Sequence, residues 1–282
     1  MLDFTGMGTV LRALGFLYWV LAIGAIAFAI RKGKDKRSKM LWSAVAVAAF
    51  GFLPAKALIE QYRRNAYEKE AWAYFKKLCA EKSGEKIYKT YTGVKSVLVV
   101  KPLPPATDKD HFDQFWYGDP YSAPATSVRT EAAISTLVWA NGPLSPAGRG
   151  PGLDFVELVD PGTDGLVVKY YFPQDARDHV KQTVDRAVSR FGISWEDISS
   201  PNDRKYWIAG SRFRVIDLAD KSVAAERIGY FIESGFGSND GQRRPWLTSR
   251  GPNTTCPEVH TYSDRWFLLK VLNPHVETSN GK

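Results

Sequence analysis

Residues 13–30 read ALGFLYWVLAIGAIAFAI, eighteen residues without a charge, bordered by Arg12 and Arg31. A run of that length matches the hydrocarbon thickness of a bilayer when wound as a helix. It constrains the fold strongly, because backbone polar groups in hydrocarbon must be satisfied within the segment itself. A second apolar run, MLWSAVAVAAFGFLPA, covers 40–55, and Ala57, Leu58 and Ile59 continue it past Lys56. A lysine at that position can snorkel to the interface. Between the runs lies RKGKDKRSK, with six Lys/Arg in nine residues.

These features predict a transmembrane hairpin over 1–59 with a basic loop at 31–39. The positive-inside rule places the loop in the cytoplasm and both termini across the membrane. For a bacterial inner membrane, that far side is the periplasm. A cleaved signal peptide is the competing reading of the first run. The basic block follows the apolar stretch instead of preceding it, and no small-residue cleavage site leads to a mature-looking start. A buried soluble helix is the competing reading of the second run. Ala22, Ala25 and Ala29 in the first run, and Ala44, Ala48 and Ala49 in the second, allow close helix approach. Neither run contains a charged residue, so the hairpin reads as a lipid-bilayer anchor, not an ion path.

The formal charge is +8, of which +5 falls within residues 1–60. The remaining chain is nearly balanced. It lacks the concentrated basic face that nucleic-acid binding requires, so no nucleic-acid partner is expected. At 44% hydrophobic, with 9 Trp, 13 Tyr and 15 Phe, the chain can build a core and is not a disordered protein.

Residues 60–84 predict a juxtamembrane helical stalk. Leu58, Tyr62, Ala66, Trp72, Phe75 and Cys79 recur at roughly helical spacing, and Ser83-Gly84 supplies a stop. Residues 85–282 predict an exported α+β domain with a mostly antiparallel sheet and one long amphipathic helix. Strands are expected at 85–91, 94–101, 136–140, 153–159, 166–172, 212–218, 223–233 and 265–272. Turn sequences between 159 and 166 and at 219–222 suggest two hairpins. The helix is expected at 175–191. There Val180, Val184, Ala187, Val188 and Phe191 share a stripe, His179 lies on the helix surface, and Gly192 serves as the C-terminal stop.

Cys79 and Cys256 both fall on the non-cytoplasmic side by this topology. In an oxidising compartment a Cys79–Cys256 disulfide is expected, closing a loop of about 178 residues. Two separate buried thiols are the alternative.

Catalytic signatures are sparse. The four histidines form no H-E-x-x-H, and there is no C-x-x-C, nucleophile elbow, P-loop or dinucleotide fingerprint. Ser83 to Lys86 matches S-x-x-K without its companion motifs. Cys256 and His260 have ligand spacing but are a lone pair. Asp108, Asp110 and Asp113 resemble the start of a calcium loop without its Gly and closing Glu. Asn253 begins a glycosylation sequon, meaningful only in a eukaryotic secretory host. No metal or cofactor is expected.

Two long segments draw attention instead. Residues 102–129 carry His111, Phe112, Phe115, Trp116, Tyr117, Asp119 and Tyr121. Residues 234–258 carry Phe236, Arg243, Arg244, Trp246 and Arg250. Trp, Tyr and Arg are the residue types enriched at binding hot spots, and long loops in a compact domain are often functional. Phe115, Trp116, Tyr117, Asp119, Tyr121, Arg243, Arg244 and Trp246 are therefore the expected partner-binding residues. The competing reading is that these aromatics fold back over the core.

The function expected is a membrane-anchored periplasmic protein acting by protein–protein contact, without catalysis. Its most specific form is an immunity or inhibitor protein against a periplasm-acting toxin. An envelope-assembly or secretion-apparatus subunit is the alternative. An envelope enzyme with a dispersed site, drawing on Asp108, Asp110, His111 and Glu226, is a second one.

Overall fold

The computed structural model describes residues 4–32, 35–103, 106–122, 134, 137, 152–159, 165–171, 179–239, 243–247, 253–258 and 263–273. The chain divides into two units, Met1–Lys69 and Glu70–Lys282.

In the first unit, α1 (Phe4–Lys32) is followed by the first part of α2 (Lys36–Lys82). Both helices are long and apolar enough to cross a membrane. Asp35 starts α2 as its cap: its Oδ1 accepts the Ser38 N–H at 2.9 Å. Large apolar side chains such as Phe16, Ile23, Trp42 and Phe52 stand exposed along both helices. Of the expected small residues, Ala22 and Ala29 are buried, whereas Ala44 and Ala48 are exposed. The half-buried stripe on α2 is Ser43, Ala46 and Phe50, at three- and four-residue spacing.

Proline 54 lies inside α2. It has no N–H, so the carbonyl of Phe50 loses its helical donor. The Tyr18 hydroxyl of α1 donates to that carbonyl, and the Tyr18 and Phe50 rings meet edge-on at 5.8 Å. A polar group stranded by sequence is thus satisfied across the helix pair.

The second unit is α+β, with a large mixed, mostly antiparallel sheet. Its strands are β1 (Gly84–Ile87), β2 (Tyr91–Thr92), β3 (Ser96–Lys101), β4 (Phe155–Val159), β5 (Val167–Tyr171), β6 (Val180–Val184), β7 (Phe191–Asp197), β8 (Ile208–Asp217), β9 (Ser222–Ile232), β10 (Thr255–Cys256) and β11 (Leu272–Asn273). The main sheet runs β1-β9-β8-β7-β3-β4-β5-β6, with β10 also on β9, and β11 pairs β2 separately. β3 is parallel to both β4 and β7. Every other pairing in the main sheet is antiparallel. The short helices are α3 (Pro201–Lys205) and α4 (Ser263–Val271).

Alternation along the strands sorts the two faces. Val97, Val156, Ile193, Trp195, Phe213 and Val215 share one face by register and join Phe267, Leu268 and Val271 of α4 in the main core. On the other face Arg212 and Arg214 alternate with them. Both reach Glu196 at 3.6 Å and Glu226 at 3.9 Å, forming a cross-strand charge ladder.

Ala71, Phe75 and Leu78 are the buried stripe of the end of α2, at i, i+4 and i+7. Phe75 and half-buried Cys79 were expected there; Leu58, Tyr62 and Ala66 are exposed. Tyr74 donates to Asp203 Oδ1 at 2.7 Å, and Tyr206 donates to Glu70. The Cys79 and Cys256 sulfurs lie at disulfide distance, 2.00 Å apart. That cross-link joins α2 to β10 and hence to β9.

Two expected elements are corrected. The long helix at 175–191 does not form in its described part, 179–191: Val180–Val184 is β6 and Phe191 opens β7. The stripe that suggested a helix is not a buried face, since Val188 is 69% exposed. Val180, Thr183 and Val184 are β-branched and pair with β5. Gly192 is no helix stop. It lies inside β7, where an added Cβ would come within 2.6 Å of Val100 Cγ2. Second, residues 265–272 are mostly α4, not a strand. Phe267, Leu268 and Val271 face the core as a helical stripe, while Trp266 is exposed.

Strand character at 136–140 is also absent where described, since Leu137 is helical. The rest of that segment, residues 175–178, His260 and Arg250 lie outside the described residues.

Candidate partner interface

The two segments singled out by sequence meet in the fold. The Trp246 N–H donates to the His111 carbonyl at 3.2 Å, and its indole Nε1 donates to the Asp113 carbonyl at 2.7 Å. Arg244 Nη1 reaches Asp108 Oδ1 at 3.0 Å. Gln114 Nε2 donates to the carbonyls of Arg204 and Lys205 at 2.8 and 2.9 Å. Residues 106–122 are thereby fastened to α3 and to 243–247.

The aspartates of this segment act as turn formers. Asp110 Oδ2 accepts from Thr107 N–H and its hydroxyl, and Asp113 Oδ1 accepts from Phe115 N–H. Among the described residues, no group of three His, Cys, Asp or Glu is placed to hold a metal.

A second apolar cluster holds the segments from below: Tyr121, Trp207, Ala209, Phe231 and Trp246, with Trp116 and Phe236 packed against it. The Trp207 and Trp246 rings are 5.1 Å apart between centroids. Gly229 on β9 makes room for Tyr121, because a Cβ there would lie 2.2 Å from the ring's Cζ. Asp119, Trp207 and Phe236 adopt φ values of 58°, 55° and 51°. Such left-handed geometry is unusual for bulky side chains and costs of order 1–3 kcal/mol each.

Beneath the segment lies a buried ion cluster that sequence reasoning missed. Arg204 of α3 is fully buried and donates through Nη2 to Asp197 at the end of β7. Its guanidinium also stands over the Tyr117 ring at 5.4 Å and the Trp246 ring at 5.0 Å. Asp119 donates its backbone N–H to Asp197 Oδ2 at 3.2 Å. The Asp119 carboxylate accepts from Ser122 N–H at 3.0 Å and from the Ser211 hydroxyl at 2.7 Å. Glu233, also fully buried, accepts from Arg243 and from the N–H groups of Gly235 and Gly237.

One sequence signal could have located part of this arrangement. Ser200-Pro201-Asn202-Asp203 is a capping box with Pro at N1, and both of its reciprocal bonds form. It places α3, and therefore Arg204, directly before β8.

The expected partner-binding residues consequently divide. Asp119, Tyr121 and Trp246 are buried supports. Arg243 is tied to Glu233, and Trp116 is half-buried. Phe115 and Tyr117, at 49% and 50% exposure, face outward, as does Arg244. Phe112, at 47%, joins them.

Burial pushes the Asp119 carboxyl up to about 6, against the opposing bonds from Ser122 and Ser211. A raised carboxyl pKa stabilises the fold below the unfolded value. That contribution, about 3 kcal/mol, is lost as pH rises from about 4 through 6. Asp119→Asn should therefore flatten the stability profile over that window, and Asn tolerates the left-handed φ. The acid limb should survive, because Arg190 holds the Asp217 carboxyl down to about 2. That group's contribution is lost only as pH falls below about 4. Urea unfolding of both proteins from pH 3 to 8 checks this. A wild-type slope retained in the variant would show that Asp119 is not its source.

No family model, curated protein or solved structure matches the chain.

Proposed function

We propose that the chain is a membrane-anchored contact protein whose second unit holds a protein partner through Phe112, Phe115, Tyr117 and Arg244. The observation that carries this reading is the exposure of three aromatic rings on a segment pinned by Trp246, Gln114 and the Arg204 cluster. Exposed aromatics on a pre-organised backbone bind at low ordering cost. The two apolar helices support the anchor. In its most specific form the anchor is a bacterial inner-membrane hairpin, the platform faces the periplasm, and the partner is a toxin or effector that the platform neutralises.

The dispersed-site enzyme gains no support from the arrangement. Asp108 is engaged by Arg244 and stands 3.8 Å from His111, whereas Glu226 on β9 is engaged by Arg212, Arg214 and Tyr88.

The test is a native pull-down of tagged full-length protein in mild detergent, beside the double variant Phe112→Ala/Phe115→Ala. Both side chains are surface features, so unfolding free energy should move by no more than about 0.5 kcal/mol per site. Affinity for the partner should fall at least about 30-fold, the loss of roughly one hot spot. A partner recovered equally by wild type and variant would overturn the platform reading. If such partners are envelope subunits, the assembly alternative takes its place. Loss of protection from toxin-producing neighbours in cells carrying the double variant would support the immunity form.

A further inference from the structure

At the opposite end of β7 from the platform lies an open groove of about 600 Å³ between residues 90–96 and 188–191. Its volume is in the range of small-molecule sites. Its chemistry is one-sided. Thr90, Thr92, Lys95, Ser96 and Arg190 line it, and no carboxylate does among the described residues.

Arg190 is held in place. Its Nε and Nη2 donate to Asp217 at 3.2 and 2.7 Å, and Tyr91 donates to the same carboxylate at 3.1 Å. The guanidinium is stacked over Tyr91 at 5.5 Å and Phe191 at 5.1 Å. A guanidinium has five N–H donors in a fixed fork, and Asp217 takes two of them. The side chain is 59% exposed, so the remaining donors are open to solvent. Lys95 forms no ion pair among the described residues and is exposed. The Ser96 hydroxyl accepts from Ser189 Oγ at 2.9 Å, which leaves its own proton to donate. A donor-rich groove with a pre-oriented arginine and an exposed lysine matches a ligand that offers several acceptor oxygens and negative charge.

We propose that this groove binds a phosphate ester, with Arg190 and Lys95 on the phosphoryl oxygens and the threonine hydroxyls on the attached alcohol. The site is independent of the protein-contact platform. The same chemistry occurs in a soluble sugar or glycerol phosphate and in a phospholipid headgroup, and the experiment separates the two.

Full-length protein in an uncharged detergent is titrated calorimetrically with glycerol 3-phosphate, with dihexanoyl phosphatidic acid and with glycerol. Saturable binding of either phosphate ester, but not of glycerol, is expected. Lys95→Glu should weaken it at least tenfold, and Arg190→Lys, which keeps charge but loses the fork, severalfold. Affinity should fall as salt rises. Lys95 is exposed and outside the core, so Lys95→Glu should leave the thermal midpoint unchanged. Tighter binding of glycerol 3-phosphate than of the lipid assigns a soluble ligand; tighter binding of the lipid assigns a headgroup; equal affinity confines recognition to the shared phosphoglycerol group and supports the site itself. Absence of saturable binding by both, or binding indifferent to both substitutions, would overturn the proposal.

Discussion

Arg204→Ala should lower the unfolding free energy by about 3–5 kcal/mol, the usual cost of removing one partner from a buried ion pair. The guanidinium is fully buried, pairs with Asp197 and also feels the charge of Asp119. Burial lowers its proton affinity, while the two carboxylates oppose that. Without it, the Asp197 carboxylate keeps the Asp119 backbone N–H as a donor but loses its counter-ion. The rings of Tyr117 and Trp246 also lose the group they stack on.

The expected remedy is to remove the stranded charge as well. Arg204→Met with Asp197→Asn should recover much of the loss, because an apolar replacement of similar volume needs no counter-ion. Urea unfolding of the three proteins decides it. An Arg204→Ala protein within about 1 kcal/mol of wild type would mean that the cluster contributes little. Partner binding gives a second readout. If the platform depends on this base, Arg204→Ala should weaken capture even where the protein remains folded.

The second large effect concerns the cross-link. Cys79 and Cys256 are separated by 177 residues. The chain-entropy account assigns a loop of that size roughly 5 kcal/mol, acting mainly by restricting the unfolded chain. Cys79→Ser/Cys256→Ser should therefore lose up to that amount. Reductant should move the wild type to the same denaturation midpoint without affecting the variant. The contacts that remain at the end of α2 include those of Ala71, Phe75 and Leu78, the Tyr74–Asp203 and Tyr206–Glu70 bonds and the Tyr74–Tyr206 ring pair. A loss below about 1 kcal/mol would show that the unfolded chain is already restricted without the bond.

Several elements were legible because their local pattern and their environment agree. RFRVIDL alternates charged and apolar residues, and β8 uses that alternation to separate the core from the charge ladder. The paired apolar runs became α1 and the first part of α2 because their uninterrupted length leaves little local alternative. Elsewhere local pattern misled. Val180, Val184, Val188 and Phe191 fit a helical stripe, but only Phe191 of these is buried. Period alone does not say whether an apolar stripe has anything to pack against. RWFLLKV contains no alternation, and a short apolar run of that kind is consistent with either strand or helix. The main core received its Phe267, Leu268 and Val271 face from a helix.

The partner-binding residues show the same division. Trp and Arg at loop positions singled out two segments that meet in the fold, yet Trp246 proved to be a buried support and Phe112 an exposed ring. Composition identifies side chains able to anchor a partner. It does not distinguish those already occupied by their own protein.

By itself, the sequence determined the two long apolar helices, the α+β character of the remainder, and the cysteines available to pair. These follow from segment length, alternation and residue inventory, which are local quantities. Only the tertiary structure decided that the expected Cys79–Cys256 pair comes within bonding distance, that Tyr18 serves the carbonyl stranded by Pro54, and that Arg204 pairs with Asp197 beneath residues 106–122. Each joins groups distant in sequence or on separate elements. Burial makes such partners obligatory, because a charge or polar group removed from water is costly unless another group satisfies it.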